Sequence, residues 1–329
     1  MSYSTQILRL ARQQLAQQKA DQESKYQQRL QEAYLQVPRL REIDRLLRRS
    51  MTLAAQAVFT EGGDAAVAME QVRQANLALQ QERELLIENH FAPGWLDDSP
   101  ICPHCGGSGY VGSAMCRCLN ALCRQAQQQS LSHLFRGQED FSAFRLDYYP
   151  DRVDRIYGAS PRAIMARNLQ ICKRYADSFC PESGSLLMVG GTGLGKTFLS
   201  ACIAKAVTDK GYSIAYESAP QLFSKLEKNR FSPDDESRAQ AAEFSDCDLL
   251  IVDDLGTEMP GNFVTAALYS LLNDRLLAGK SMIVSTNLNI DEIAKRYSPQ
   301  IASRLEGNFK ALTFVGEDIR VLKNRGVTF

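Results

Sequence analysis

Gly190-Gly191-Thr192-Gly193-Leu194-Gly195-Lys196-Thr197 fits the pattern G-x-x-x-x-G-K-[ST]. Glycines at this spacing let successive backbone N–H groups converge on one centre, an anion nest at the start of a helix. Lys196 adds a point charge for β- and γ-phosphates, and the Thr197 hydroxyl suits Mg²⁺. An apolar run precedes the loop and a helical pattern, Phe198 to Lys210, follows it. The pattern therefore predicts a site for ATP and Mg²⁺.

Such a site needs an acid at the end of a buried strand. Leu249-Leu250-Ile251-Val252-Asp253-Asp254 supplies two. Carboxylates that close an apolar strand are costly unless a cation meets them. Asp253 is assigned to the Mg²⁺ shell and Asp254 to the attacking water, with Glu258 as the alternative for part of that second task. Asn287 ends a later apolar run, where its amide could hold the lytic water. Arg304, read as the end of a short helix, and Arg320, just beyond the last strand, suit the charge that develops on a transferring phosphoryl group.

A second constellation is Cys102-x₂-Cys105-x₁₀-Cys116-x-Cys118. Four thiolates fill a tetrahedral Zn²⁺ and leave no open position, so the expectation is a structural staple. His104 and Cys123 are the replacement ligands. The remaining cysteines, Cys172, Cys180, Cys202 and Cys247, are scattered and read as small apolar residues.

The elements that must carry these groups follow from periodicity. Residues 1 to about 90 read as helix: Ile7, Leu10, Ala11 and Leu15 fall on one stripe, Pro38 interrupts, and Leu40, Ile43, Leu46 and Leu47 resume. Gly62-Gly63-Asp64 is a stop-and-restart signal, followed by Ala68, Val72, Ala75, Leu79 and Leu86 on a third helix. Residues 124 to 140 read as helix again. Five short apolar runs, at Leu186–Val189, Ile214–Tyr216, Leu249–Val252, Met282–Val284 and Leu312–Phe314, alternate with helical stretches. That is the pattern of a parallel α/β sheet. The expected domains are a helical partner-binding region (1–95), a Cys₄ module (96–124), a linker (125–160) and a nucleotide-binding domain (161–329).

Composition narrows the function classes. The chain of 329 residues carries 38 basic and 38 acidic side chains, which excludes bulk electrostatic binding of nucleic acid. The balance conceals a gradient: residues 1–50 hold ten Lys and Arg against five acids, leaving +5 there and −5 elsewhere. Arg39, Arg41, Arg45, Arg48 and Arg49 form the densest basic run, a solvated face or a contact for an acidic partner. No run approaches the roughly 18 apolar residues that cross a membrane, and no signal pattern opens the chain. A cytoplasmic, reducing setting is expected.

Taken together, Phe141-x-x-Phe144 with Tyr148, the glycine loop, Asp253-Asp254-Leu255-Gly256-x-Glu258, Ser285-Thr286-Asn287 and Ser303-Arg304-Leu305 resemble an AAA+ ATPase, and more closely the DnaC/DnaI family of bacterial replicative-helicase loaders. The resemblance covers about residues 141 to 329. It implies a five-stranded parallel sheet flanked by helices, with the Asn287 strand between the glycine-loop and Asp253 strands. It also implies ATP-driven loading of a hexameric helicase onto single-stranded DNA. The helicase would be bound by the N-terminal helices, and self-association through the ATPase domain would let Arg304 act on a neighbour's nucleotide. Zinc modules occur in that family, and the helical lid of most AAA+ proteins is expected to be missing. The alternative is an IstB-like transposition-helper ATPase, which shares the core. A small-molecule kinase and an interaction scaffold with vestigial nucleotide binding fit less of the pattern.

Overall fold

The structure, a computed structural model, describes residues 3–57, 65–131, 140–232 and 234–327. Gly62-Gly63-Asp64 and the later part of the helix expected over 124–140 lie outside them. The chain divides into two compact units, residues 14–116 and residues 1–13 with 117–329. No described helix is long and apolar enough to cross a membrane.

Three helices begin the chain: α1 (Thr5–Gln36), α2 (Pro38–Ala57) and α3 (Ala65–His90). Pro38 sits in the first turn of α2, where its missing N–H costs nothing. On α1, Ile7, Ala11 and Leu15 are buried, but Leu10 is 40% exposed. The expected stripe is narrower than the sequence suggested because i, i+4 and i+8 define its axis, and a residue at i+3 falls well off it. Within residues 14–116, Ala33, Val37 and Leu40 form a small core with Leu86, Ile87 and Phe91. Trp95, the chain's single tryptophan, stacks on Phe91 at 6.2 Å between centroids. Of the basic run, Arg39 is committed to Glu82 and Glu42.

A two-stranded hairpin, β1 (Tyr110–Val111) and β2 (Ala114–Met115), lies inside the cysteine cluster. After it comes α4 (Arg117–Ser130), which rests on the nucleotide-binding core. Its Gln127 is buried and bonded to Thr208 Oγ1, the Tyr212 carbonyl and the Ile214 N–H.

The core is a three-layer α/β/α arrangement. Its strands are β3 (Ser185–Gly190), β4 (Ile214–Ser218), β5 (Leu249–Leu255), β6 (Ser281–Thr286) and β7 (Phe309–Phe314), all parallel, in the order β4-β5-β6-β3-β7. The five apolar runs are these five strands, and β6, which leads to Asn287, lies between β5 and β3 as expected. Both faces are covered, so successive residues point into different cores. Leu186, Met188, Leu249, Ile251 and Ile283 pack with α5 (Pro161–Asp177) and α6 (Lys196–Asp209). Leu187, Leu250, Val252, Met282 and Val284 pack with α7 (Ala219–Phe231), α8 (Asp235–Asp246), α9 (Asn262–Leu277), α10 (Ile290–Arg296) and α11 (Pro299–Asn308). A short helix, α12 (Ile319–Arg325), follows β7. Strands buried on two faces read as continuous hydrophobic runs, which is why they are legible.

One buried cation organises the second core. Arg275 on α9 is fully buried and donates to the carbonyls of Phe244 (2.9 Å), Cys247 (3.1 Å) and Ser281 (2.6 Å). It thereby satisfies the C-terminal end of α8, where the helix dipole favours positive charge. Replacing it with Met keeps most of the volume and removes every donor. Arg275→Met is expected to cost about 3 kcal/mol, the penalty for stranding two or three buried carbonyls. A urea midpoint that moves by less than about 1 kcal/mol equivalent would refute this account of the α8–α9 junction.

Candidate nucleotide site

The carboxyl ends of β3 and β5 open onto a cavity of about 640 Å³, within the range of small-molecule sites. It is lined by Thr192 to Phe198, Asp253, Asp254, Arg320 and Lys323, with Phe144, Tyr148 and Tyr149 forming an aromatic wall. The glycines of the loop are demanded by sterics. A Cβ on Gly190, at φ +153°, would lie 2.3 Å from the Phe314 carbonyl oxygen. One on Gly193, at φ +69°, would collide with the Asp318 carboxylate at 1.9 Å.

The loop is held from outside. Tyr149, fully buried, donates its hydroxyl to the Leu194 carbonyl at 2.9 Å, and Phe144 stacks on its ring. Arg162 donates to the Tyr149 carbonyl at 3.0 Å. On the far side the Ile319 N–H donates to the Gly193 carbonyl at 3.0 Å. Asp318 caps α12 and pairs with Arg320. Of these supports, the sequence marked only the gathering of aromatics before the core.

Lys196 is buried and donates to the Gly190 and Gly191 carbonyls at 2.6 and 2.7 Å. Burial pushes its pKa down, the Asp254 and Asp253 carboxylates pull it up, and Arg320 pushes it down again. Asp254 is shifted the other way: burial and the neighbouring Asp253 raise its pKa, against the opposing pull of Lys196 and Arg320. A carboxylate made more basic in this way suits the handling of a proton or a water. Asp254 is also the one described non-glycine residue with positive φ, at 55°.

Asp253, 6% exposed, sits in a net of hydroxyls. Ser285 donates to its Oδ1, and the Tyr216 phenol donates to its Oδ2 at 3.2 Å. The sequence marks Ser285 only as part of the Ser285-Thr286-Asn287 motif, with no role of its own, and Tyr216 only as a strand residue. Thr197, Asp253 and Asp254 line the same cavity and carry hard oxygen donors, a set that fits Mg²⁺.

Glu258 is built into the structure instead. It is 4% exposed and accepts from the Gly256 N–H at 2.9 Å, from Arg296 at 3.3 Å and from the Tyr297 hydroxyl. It does not line the cavity. Asn287 is exposed and is also outside the lining. Arg304 lies in the middle of α11, which runs on to Asn308, rather than at a helix end. Its guanidinium stacks on Tyr269 at 4.3 Å and donates to the Tyr269 hydroxyl at 2.8 Å. The structure thus assembles the glycine loop, Lys196, Thr197, Asp253, Asp254 and Arg320. It leaves Asn287 and Arg304 outside the cavity.

In the cysteine segment, the sulfurs of Cys102, Cys105, Cys116 and Cys118 all lie within 4.8 Å of one another. Cys102 and Cys116 are 3.7 Å apart, against the roughly 3.8 Å set by ~2.3 Å bonds at a tetrahedral metal. The Gly109 N–H donates to Cys105 Sγ at 3.3 Å, and the N–H groups of Cys105 and His104 hold the Cys102 thiol below its ordinary range. These features fit a metal ion. His104 and Cys123 stand outside the cluster, and burial pushes the Cys123 thiol up to about 11.

The family model described as IstB-like ATP binding protein matches residues 163–303. The replicative helicase loader DnaC of Buchnera aphidicola subsp. Acyrthosiphon pisum (strain APS) is 24% identical over 155 residues, 46% of this chain. The match spans 63% of that relative's length. Among solved structures, the crystal structure of the DnaC helicase loader gives a TM-score of 0.44 at 21% identity, covering 53% of this chain and 98% of its own. The DnaI crystal structure gives 0.46 at 18%, covering 58% and 98%. Residues 163–303 thus resemble an IstB-like ATP-binding domain, and the chain is similar to the DnaC-type loaders.

Proposed function

We propose that this chain is an ATP-driven switch that loads a hexameric replicative helicase onto single-stranded DNA. One observation carries the reading: a single cavity gathers the glycine loop, two strand-end carboxylates and Arg320, while Arg304 rests on Tyr269 of α9, outside that cavity. The N–H groups of the loop and Lys196 bind the phosphates of ATP. Thr197 and Asp253 hold Mg²⁺, which when bound neutralises charge on the phosphate oxygens. Asp254 orients the attacking water, and Arg320 faces the γ-phosphate. Arg304, parked on Tyr269, serves a neighbouring subunit, which makes self-association part of turnover. Asn287, just past the end of β6 between β3 and β5, holds the lytic water in this reading. The Cys₄ cluster holds Zn²⁺ as a folding staple.

Residues 1–95 supply the helicase contact in this reading. The candidate contact for DNA is an aromatic cluster at the end of α7: the rings of Phe231, 67% exposed, and Phe263 lie 6.0 Å apart and tilted, with the Arg230 guanidinium 5.7 Å from each. An exposed aromatic ring beside an arginine suits the π-faces of unpaired bases. Phe231→Ala is expected to weaken single-stranded DNA binding about tenfold, one stacked base's worth, as read by fluorescence anisotropy. Unchanged affinity would remove this patch from the reading.

The deciding experiment mixes the full chain with a candidate hexameric helicase, with and without ATP, and measures the mass of the complex. A nucleotide-sensitive complex is expected, and no complex under either condition ends the loader reading. A transposition helper is the second reading, favoured by the IstB-like match over 163–303. It predicts ATP-dependent association with a transposase and none with the helicase.

A further inference from the structure

The pairing of β5 with β6 is irregular at the site. Val252 pairs with Val284, but the next partner of Thr286 is Leu255, so β5 spends one residue more than β6 across this interval. Such a bulge bends a strand and re-aims a side chain. The extra residue falls at Asp253-Asp254, where Asp254 adopts φ 55°. Asp254 has lost its ladder partner, and its N–H donates instead to the Ser285 side chain at 2.9 Å.

Ser285 is fully buried, and its one hydroxyl serves both carboxylate residues: Oγ accepts from the Asp254 N–H and donates to Asp253 Oδ1. A hydroxyl has one proton to give and two lone pairs to accept with, so it can do both at once. Tyr216, on the strand flanking β5 from the other side, donates to Asp253 Oδ2. The carboxylate is thus held at both oxygens by the two strands that flank its own. Lone pairs on each oxygen remain free for a cation.

We propose that Ser285 and Tyr216 are positioning residues for the divalent cation of a bound nucleotide: together they fix the Asp253 carboxylate, and Ser285 also holds the bulge that turns Asp254 into the cavity. The proposal rests on the ATP-site reading above. Groups that orient a metal ligand typically change metal affinity 10–100-fold when removed. Simple loss of a buried hydrogen bond would instead lower stability without favouring the metal-bound state over the metal-free one.

The test separates these. A fluorescent ATP analogue is titrated into the full chain in EDTA and again across a Mg²⁺ series, with thermal melting of each variant alongside. Ser285→Ala is expected to raise the half-saturating Mg²⁺ concentration about tenfold or more, and Tyr216→Phe by a smaller factor, about threefold. Affinity in EDTA stays within about twofold for both, and Ser285→Thr, which keeps the hydroxyl, restores the Mg²⁺ response. Unchanged Mg²⁺ midpoints in the two deletion variants would overturn the proposal. An equal loss of affinity with and without Mg²⁺ would do the same. Should Ser285→Ala fail to fold, Tyr216→Phe, which removes a single oxygen, decides alone. A wild-type chain that binds no analogue would bring down the ATP-site reading first, and the proposal with it.

Discussion

Replacing Lys196 with Ala is expected to lower ATP turnover by about 100-fold or more while the protein stays folded. The ammonium is buried and donates to two loop carbonyls, those of Gly190 and Gly191. Those bonds keep a desolvated cation where phosphate oxygens would arrive, and burial already lowers its pKa. A charge-assisted contact to the transferring phosphoryl group is worth about 3–4 kcal/mol, which converts to two to three decades in rate. Stability should barely change, because a buried ammonium is expensive to desolvate and its removal offsets the two lost bonds. Phosphate release and a melting curve on the same preparation check both halves. Turnover within about tenfold of wild type would mean that the loop does not handle the triphosphate.

Removing the metal from the cysteine cluster should have the largest effect on structure. The hairpin it encloses pairs only two residues on each strand, far below what folds unaided. Zinc held by four thiolates contributes on the order of 10 kcal/mol at neutral pH, so the segment stands or falls with the ion. One zinc per chain is expected by elemental analysis. A strong chelator should expose residues 102–118 to proteolysis, and Cys105→Ser should cut the zinc content at least about tenfold. A chain that purifies without metal, with a protease pattern unmoved by chelator, would leave the four sulfurs as ordinary thiols.

What the sequence made legible has a physical pattern. Strands such as Leu249–Val252 are buried on both faces and so stand out as unbroken apolar runs, and the glycine loop carries its own spacing. Positions that depend on register were opaque. Nothing in the spacing of Asp253-Asp254 reveals a bulge that hands the Asp254 N–H to Ser285, nor that Tyr216 reaches across from β4. Glu258 reads in the sequence as an alternative to Asp254 for part of its task, yet it is drawn into the protein by Arg296, the last residue of α10, and by Tyr297 beside it. Gln127 shows the same blindness in the core, where a buried amide does the packing that hydrophobic patterns track. Sequence located the chemistry-bearing groups on their elements, and side-chain hydrogen bonds decided which of them meet.

Trp95 has a practical consequence. As the chain's lone indole, held against Phe91 in the compact unit of residues 14–116, it makes intrinsic emission a private channel for that unit. The nucleotide-binding unit has tyrosines but is dark at wavelengths that excite only tryptophan. An event that changes the colour or polarity of this emission therefore reports on the helical unit alone. Any change in that unit can thus be timed in the unlabelled protein with no signal from the nucleotide-binding unit.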